Sequence, residues 1–277
     1  LNPKVGDLQG NLALAKGALD QAVAAKADIL MLSELFLTGY FPEDLFFKPR
    51  FVEDALAAAG ELVRATRGTT VSLLLPTIWR EGHDLYNAVL LAEDGKVVAR
   101  RYKRELPNDD VFYEKRYFKR GPLPEPITIR GVTIGVPICE DIWHPDVCDY
   151  LVAQGAQLLL CPNGSPYWKD KQHIRMGLVR ARVTEDRVPL LYLNQVGGQD
   201  ELVFDGASFG MEPGSRLVFQ TKSFEADFSV TDWERTKAGW RCTTGEVSPL
   251  AAIEEAPWQA MLRGRRDYVR KNGFSKV

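Results

Sequence analysis

The strongest constraint on this chain is a repeated pairing of an amphipathic helix with a wholly apolar strand. Residues 7–26 carry Leu8, Leu12, Ala15, Leu19, Ala22 and Val23 at helical spacing. The run Asp28-Ile29-Leu30-Met31-Leu32 follows, of strand length and without alternation, which marks a strand covered on both faces. The pairing recurs with a helix near 52–66 and a strand at 70–75. It returns later with helices at 145–154 and 171–186 and strands at 157–161 and 188–194. Hairpin signals lie between: strands at 88–91 and 97–101 joined through Glu93-Asp94-Gly95-Lys96, and strands at 128–130 and 132–138 turning at Arg130-Gly131. Shorter strands are expected at 207–210, 217–220 and 226–230. This order predicts one α/β unit over 1–235, with its sheets sandwiched by helices. Residues 236–257, with Gly239, Gly245, Pro249 and Pro257, read as a linker. Residues 258–271 form a basic amphipathic helix, and 258–277 is expected to lead into a further domain, docking poorly by itself and exposing Met261, Leu262, Tyr268 and Val269.

Charge and cysteine usage exclude several classes. Lys plus Arg number 35 against 37 Asp plus Glu, a net charge of −2, and the sequence pI is about 6.0. Neither nucleic acid nor an anionic membrane gains from such a surface. No stretch approaches the ~20 apolar residues of a membrane span. Cys139, Cys148, Cys161 and Cys242 are too scattered for a disulfide framework, and His83, His144 and His173 lack metal-ligand spacing, so no metal site is expected. A reducing, cytoplasmic setting fits, and the absent initiator Met suggests a portion of a longer protein.

Three polar residues directly follow three expected strands: Glu34, Lys103 and Cys139. In an α/β sheet the carboxyl ends of neighbouring strands share one rim, where ligands bind. A thiol there attacks a carbonyl carbon, a carboxylate moves protons, and an ammonium stabilises the oxyanion. Singly, each has a plainer reading: a buried cysteine is most often a small hydrophobe, Glu34 a helix cap, Lys103 a solvated strand-end charge.

The flanking residues carry more. Pro137-Ile138-Cys139-Glu140-Asp141-Ile142-Trp143, Ser33-Glu34-Leu35-Phe36-Leu37-Thr38-Gly39-Tyr40 and Tyr102-Lys103-Arg104-Glu105-Leu106-Pro107 resemble the three signature blocks of the nitrilase, or carbon–nitrogen hydrolase, superfamily. Within it, the block from Asn194 to Gly206, Asn2-Pro3-Lys4-Val5-Gly6-Asp7 and the segment Tyr40-Phe41-Pro42-Glu43-Asp44 are similar to the glutamine-hydrolysing domain of glutamine-dependent NAD+ synthetases. The likeness resumes over residues 262–274.

The resemblance implies a nitrilase-type αββα sandwich and a Glu–Lys–Cys triad: Cys139 as nucleophile, Glu34 as general base, Lys103 as oxyanion partner, with its proximity favouring the thiolate. Glu114 corresponds to the second glutamate that orients the lysine and substrate; its plainer reading is a surface pair with Lys115 or Arg116. Ser165 and Lys171 correspond to residues holding the amino-acid end of glutamine. Asp109 stands where many members have Tyr and is a candidate for the α-ammonium; Asp170 replaces a usual Gly. Tyr40 receives no catalytic role.

The implied activity is hydrolysis of L-glutamine to glutamate and ammonia. The implied partner is an ammonia-using NAD+ synthetase domain C-terminal to this chain, which would need ATP and Mg2+, within a homo-oligomer. No Ser-Gly-Gly-x-Asp-Ser loop, P-loop or Gly-x-Gly-x-x-Gly motif occurs, so this chain itself is expected to take no cofactor. The competing readings are a free-standing amidase acting on another amide and a non-catalytic scaffold for a synthetase.

Overall fold

The computed structural model of the chain describes residues 1–276. Helix α1 (Leu8–Ala24) buries Leu12, Ala15, Leu19 and Ala22, and its first turn is capped by the Asp7 carboxylate, which accepts the Gly10 N–H. Strand β1 (Ile29–Met31) follows, then helix α2 (Pro49–Ala65), opened by Pro49. Strand β2 (Ser72–Glu81) pairs in parallel with β1 and antiparallel with β3 (Asp84–Glu93), and β3 pairs with β4 (Lys96–Tyr102) across the Asp94-Gly95 turn. β2 continues well past the expected 70–75 because Pro76 interrupts the apolar pattern but not the ladder. Its carbonyl accepts the Phe36 N–H.

The second sheet is built from β5 (Ile127–Ile129), β6 (Val132–Gly135), β7 (Leu158–Asn163), β8 (Leu190–Asn194), β11 (Phe209–Glu212) and β12 (Arg216–Gln220), in the order β12-β11-β8-β7-β6-β5. β6, β7 and β8 run parallel through helices α3 (Pro145–Ala153) and α4 (Lys171–Asp186). The two sheets face each other across Leu74, Val89 and Leu91 from the first and Ile134, Leu158 and Leu160 from the second. α1 and α2 cover the outer face of one sheet, α3 and α4 that of the other. The expected αββα sandwich is the observed architecture. A cavity of about 430 Å³ lies between the layers, along β1 and the facing strands β7 and β8.

Four expectations of detail are corrected. β6 ends at Gly135, not at residue 138, since Pro137 has no N–H to extend the ladder. The hairpin β9 (Val196–Gln199) and β10 (Leu202–Asp205) went unread, because Gly197 and Gly198 carry no hydropathy signal. No strand forms at 226–230, a largely exposed stretch of which only Phe228 packs partly against the core. Instead, β13 (Asp232–Thr236) and β14 (Gly239–Thr244) make a hairpin that extends into the segment read as a linker.

Helix α5 (Ala256–Lys271) is also better seated than its hydropathy suggests. Asp267 is buried and accepts the Asn2 side-chain amide at 2.8 Å and the Gly198 N–H at 2.7 Å. Lys271 donates to the carbonyls of Pro3 and Gly198. A Cβ on Gly198 would lie 2.7 Å from Gly264 Cα, so this contact admits no side chain there. The polar face docks the helix, while Met261 (60% exposed) and Tyr268 (53%) do face outwards as expected, with Leu262; Val269, also expected outside, is half-buried. Among the described residues, no helix is long and apolar enough to cross a membrane.

Candidate active site

The rim where the carboxyl ends of β1, β4 and β7 meet the loop after β6 gathers the candidate residues. Glu34 lies in the turn after β1, Lys103 immediately after β4, and Cys139 after β6, opening a 3-10 turn over Cys139–Ile142. Cys139 has a left-handed backbone (φ +46°), a conformation that costs a non-glycine residue free energy and recurs at functional sites. Glu114 opens a second short turn, Glu114–Arg116.

Lys103 Nζ donates to Glu34 Oε1 at 2.7 Å and to Glu114 Oε1 at 2.8 Å, and all three side chains are fully buried. Glu114 is thus no surface partner of Lys115 or Arg116. Glu34 takes two further donors: Asn87 Nδ2 on Oε1 at 2.8 Å, and the Gly164 N–H on Oε2 at 2.8 Å. Gly164 is required by the packing, since a Cβ there would sit 2.7 Å from Tyr40 Cγ. The Tyr40 hydroxyl donates to Glu114 Oε1 at 2.9 Å, so Tyr40 joins the cluster instead of merely packing at the rim.

The electrostatics follow from burial and charge sign. Burial alone would lower the Lys103 pKa, but Glu114 and Glu34 hold it well above the ordinary lysine value. Burial raises Glu114 to about 7 against the pull of Lys103. Burial also pushes the Cys139 thiol well up, Glu34 adds to this, and Lys103 opposes it without prevailing. The expected pull of Lys103 towards the thiolate is present, but burial and Glu34 outweigh it, so the balance raises the Cys139 pKa. Asp141, beside it, fixes the loop by accepting the N–H groups of Ile138, Arg104 and Glu105.

At the mouth, Lys171 is mostly buried, with its ammonium 3.4 Å from the Trp168 ring centroid and 4.6 Å from that of Trp143. Burial, with Arg175 nearby, lowers it to about 8. Glu140 is half-buried, and burial raises its pKa. Asp109 is exposed on the rim, close enough for its charge to act on Glu140. Ser165 is drawn inwards instead. Its hydroxyl accepts Arg175 Nε at 3.1 Å, and Arg175 also binds both Asp205 oxygens and the carbonyls of Ser165 and Pro166. Sequence reasoning passed over Asn87, Asp141, Glu140 and Arg175. Glu140 and Asp141 carried a signal, their place in the block that holds Cys139. Among the described residues, no group of three or more His, Cys, Asp or Glu could hold a metal ion.

A buried carboxylate–ammonium–carboxylate cluster beside a strained cysteine on an αββα sandwich describes a thiol-dependent amide hydrolase. The chain belongs to the carbon–nitrogen hydrolase family, whose model matches residues 1–239. It is 45% identical to the glutamine-dependent NAD(+) synthetase of Rhodobacter capsulatus over all of this chain and 50% of that protein. It is 34% identical to that of Aquifex aeolicus, over 100% and 54% respectively. The structure of the Acinetobacter baumannii glutamine-dependent NAD+ synthetase superposes with a TM-score of 0.93 at 29% identity, over 100% of this chain and 52% of that one. A nitrilase-superfamily amidase from Nesterenkonia gives 0.73 at 27% identity, covering 81% and 84%. The chain therefore spans about half the length of the synthetases it resembles.

Proposed function

We propose that this chain hydrolyses the side-chain amide of L-glutamine to glutamate and ammonia through a thioester on Cys139. The observation that carries this reading is the fully buried Glu34–Lys103–Glu114 cluster next to Cys139. As the thiol attacks the amide carbon, its proton passes to Glu34. The tetrahedral oxyanion is stabilised by Lys103 and by backbone N–H groups near Cys139. Glu34 then protonates the leaving nitrogen, ammonia departs, and a water deprotonated by Glu34 hydrolyses the thioester. The mouth suits an amino-acid end: Lys171 for the α-carboxylate, with Glu140 and Asp109 for the α-ammonium. Ser165 shapes this pocket through its loop.

In a longer polypeptide of the kind the relatives exemplify, the ammonia would serve amidation of nicotinic acid adenine dinucleotide to NAD+. That step belongs to a separate C-terminal domain using ATP and Mg2+, within a homo-oligomer. A cytoplasmic setting, where thiols stay reduced, suits the mechanism.

The test is ammonia release from glutamine, asparagine and simple aliphatic amides, with Cys139→Ala as the control. Glutamine should be strongly preferred, and the variant should be inactive while its melting temperature stays near that of the parent. Equal turnover of aliphatic amides would favour a general amidase, and an active Cys139→Ala would overturn the mechanism.

A further inference from the structure

We propose that Asn87 is a positioning residue that fixes both the base and the oxyanion partner of this site, an inference resting on the glutaminase reading above. Its side-chain Nδ2 donates to Glu34 Oε1 at 2.8 Å, while its main-chain carbonyl accepts the Lys103 N–H at 2.8 Å. One residue on a central strand thus ties the turn after β1 to the chain after β4. Asn87 is 1% exposed and lies on β3, between β2 and β4, so it has little freedom to move.

The bond also decides which oxygen of Glu34 does the chemistry. A carboxylate oxygen offers about two lone-pair directions. Oε1 receives both Lys103 Nζ and Asn87 Nδ2, which fills it. Oε2 receives only the Gly164 N–H, leaving one direction open. Asn87 therefore makes Oε1 the anchored oxygen and leaves Oε2 as the one that accepts and returns the proton. The Asn87 Oδ1 is buried and has no hydrogen-bond partner among the described residues, so the amide is held by its bond to Glu34.

The experiment compares Asn87→Ala, the isosteric Asn87→Asp and a control, Thr77→Val, by glutaminase kinetics and thermal melting. Thr77 is equally buried on adjacent β2, where it pairs with Ala88, and its hydroxyl makes no hydrogen bond to the site residues. Asn87→Ala should lower kcat at least tenfold with KM within about twofold. Asn87→Asp keeps the shape but cannot donate as a carboxylate, so it should lose as much or more. Thr77→Val should keep kcat. Should Asn87→Ala not fold, the isosteric Asn87→Asp decides the matter. Parental kcat in Asn87→Asp overturns the proposal, as does an equal fall in kcat in Thr77→Val. An active Glu34→Gln enzyme would instead overturn the glutaminase mechanism on which it rests.

Discussion

Tyr40 and Lys103 meet on one oxygen: Glu114 Oε1 accepts the phenol hydroxyl at 2.9 Å and the ammonium at 2.8 Å. The same ammonium bonds Glu34 Oε1, so a single cation spans two buried carboxylates, and a neutral donor helps hold the second. Tyr40 remains protonated in this setting, because burial and the neighbouring Glu114 raise its pKa well above the usual value. The arrangement holds the Lys103 ammonium between two carboxylates before any substrate arrives, the preorganisation that the proposed oxyanion role requires.

Replacing the shared cation is the most direct probe of that role. Lys103→Met is expected to reduce kcat by ~10²–10³, the usual loss for one oxyanion donor, while KM changes far less. Steady-state kinetics with glutamine would check this. A change confined to KM would assign Lys103 to ground-state binding.

Tyr40→Phe removes one donor and leaves Glu114 Oε1 with Lys103 alone. The expected cost is about 1 kcal/mol in stability, read from denaturant midpoints, with a several-fold fall in kcat. An unchanged kcat would make the hydroxyl purely structural.

The Lys171 ammonium is lowered to about 8, chiefly by burial. In the proposed binding mode the charged ammonium attracts the substrate carboxylate below that pH, and the attraction is lost above it, where the amine is neutral. KM for glutamine should therefore rise as pH passes through about 8. In Lys171→Arg the guanidinium stays charged, so that rise should disappear, leaving only the titration of glutamine's own amino group. Parallel profiles for the two proteins would remove Lys171 from substrate binding.

Arg175→Met would strip Asp205 of its cation and free the Ser165-Pro166 loop. Breaking a buried pair from one side typically costs ~3–5 kcal/mol. Chemical denaturation should show a loss of that order. A loss below about 1 kcal/mol would mean that the loop is held by its other contacts.

Much of this protein is written locally. Apolar runs of strand length beside amphipathic helices determine two covered sheets, because such strands have no stable place except between layers. The residues around Glu34, Lys103 and Cys139 carried a family likeness that pointed to the rim, and Glu114 was named from its own block. Other features depend on contacts between distant residues, to which a linear pattern is blind. Asn87 reads as one polar residue in a strand, and only pairing with β4 and the turn after β1 brings it to Glu34 and Lys103. Gly164 owes its place to the Tyr40 ring, and Asp267 to Asn2 and Gly198. Nor does sequence proximity set the state of the Cys139 thiol, since desolvation outweighs the nearby lysine. Local sequence determined the elements and the identities of the reactive groups. The tertiary structure alone decided their protonation, their partners and their orientation, since burial and hydrogen bonding arise only when segments far apart in the chain are packed together.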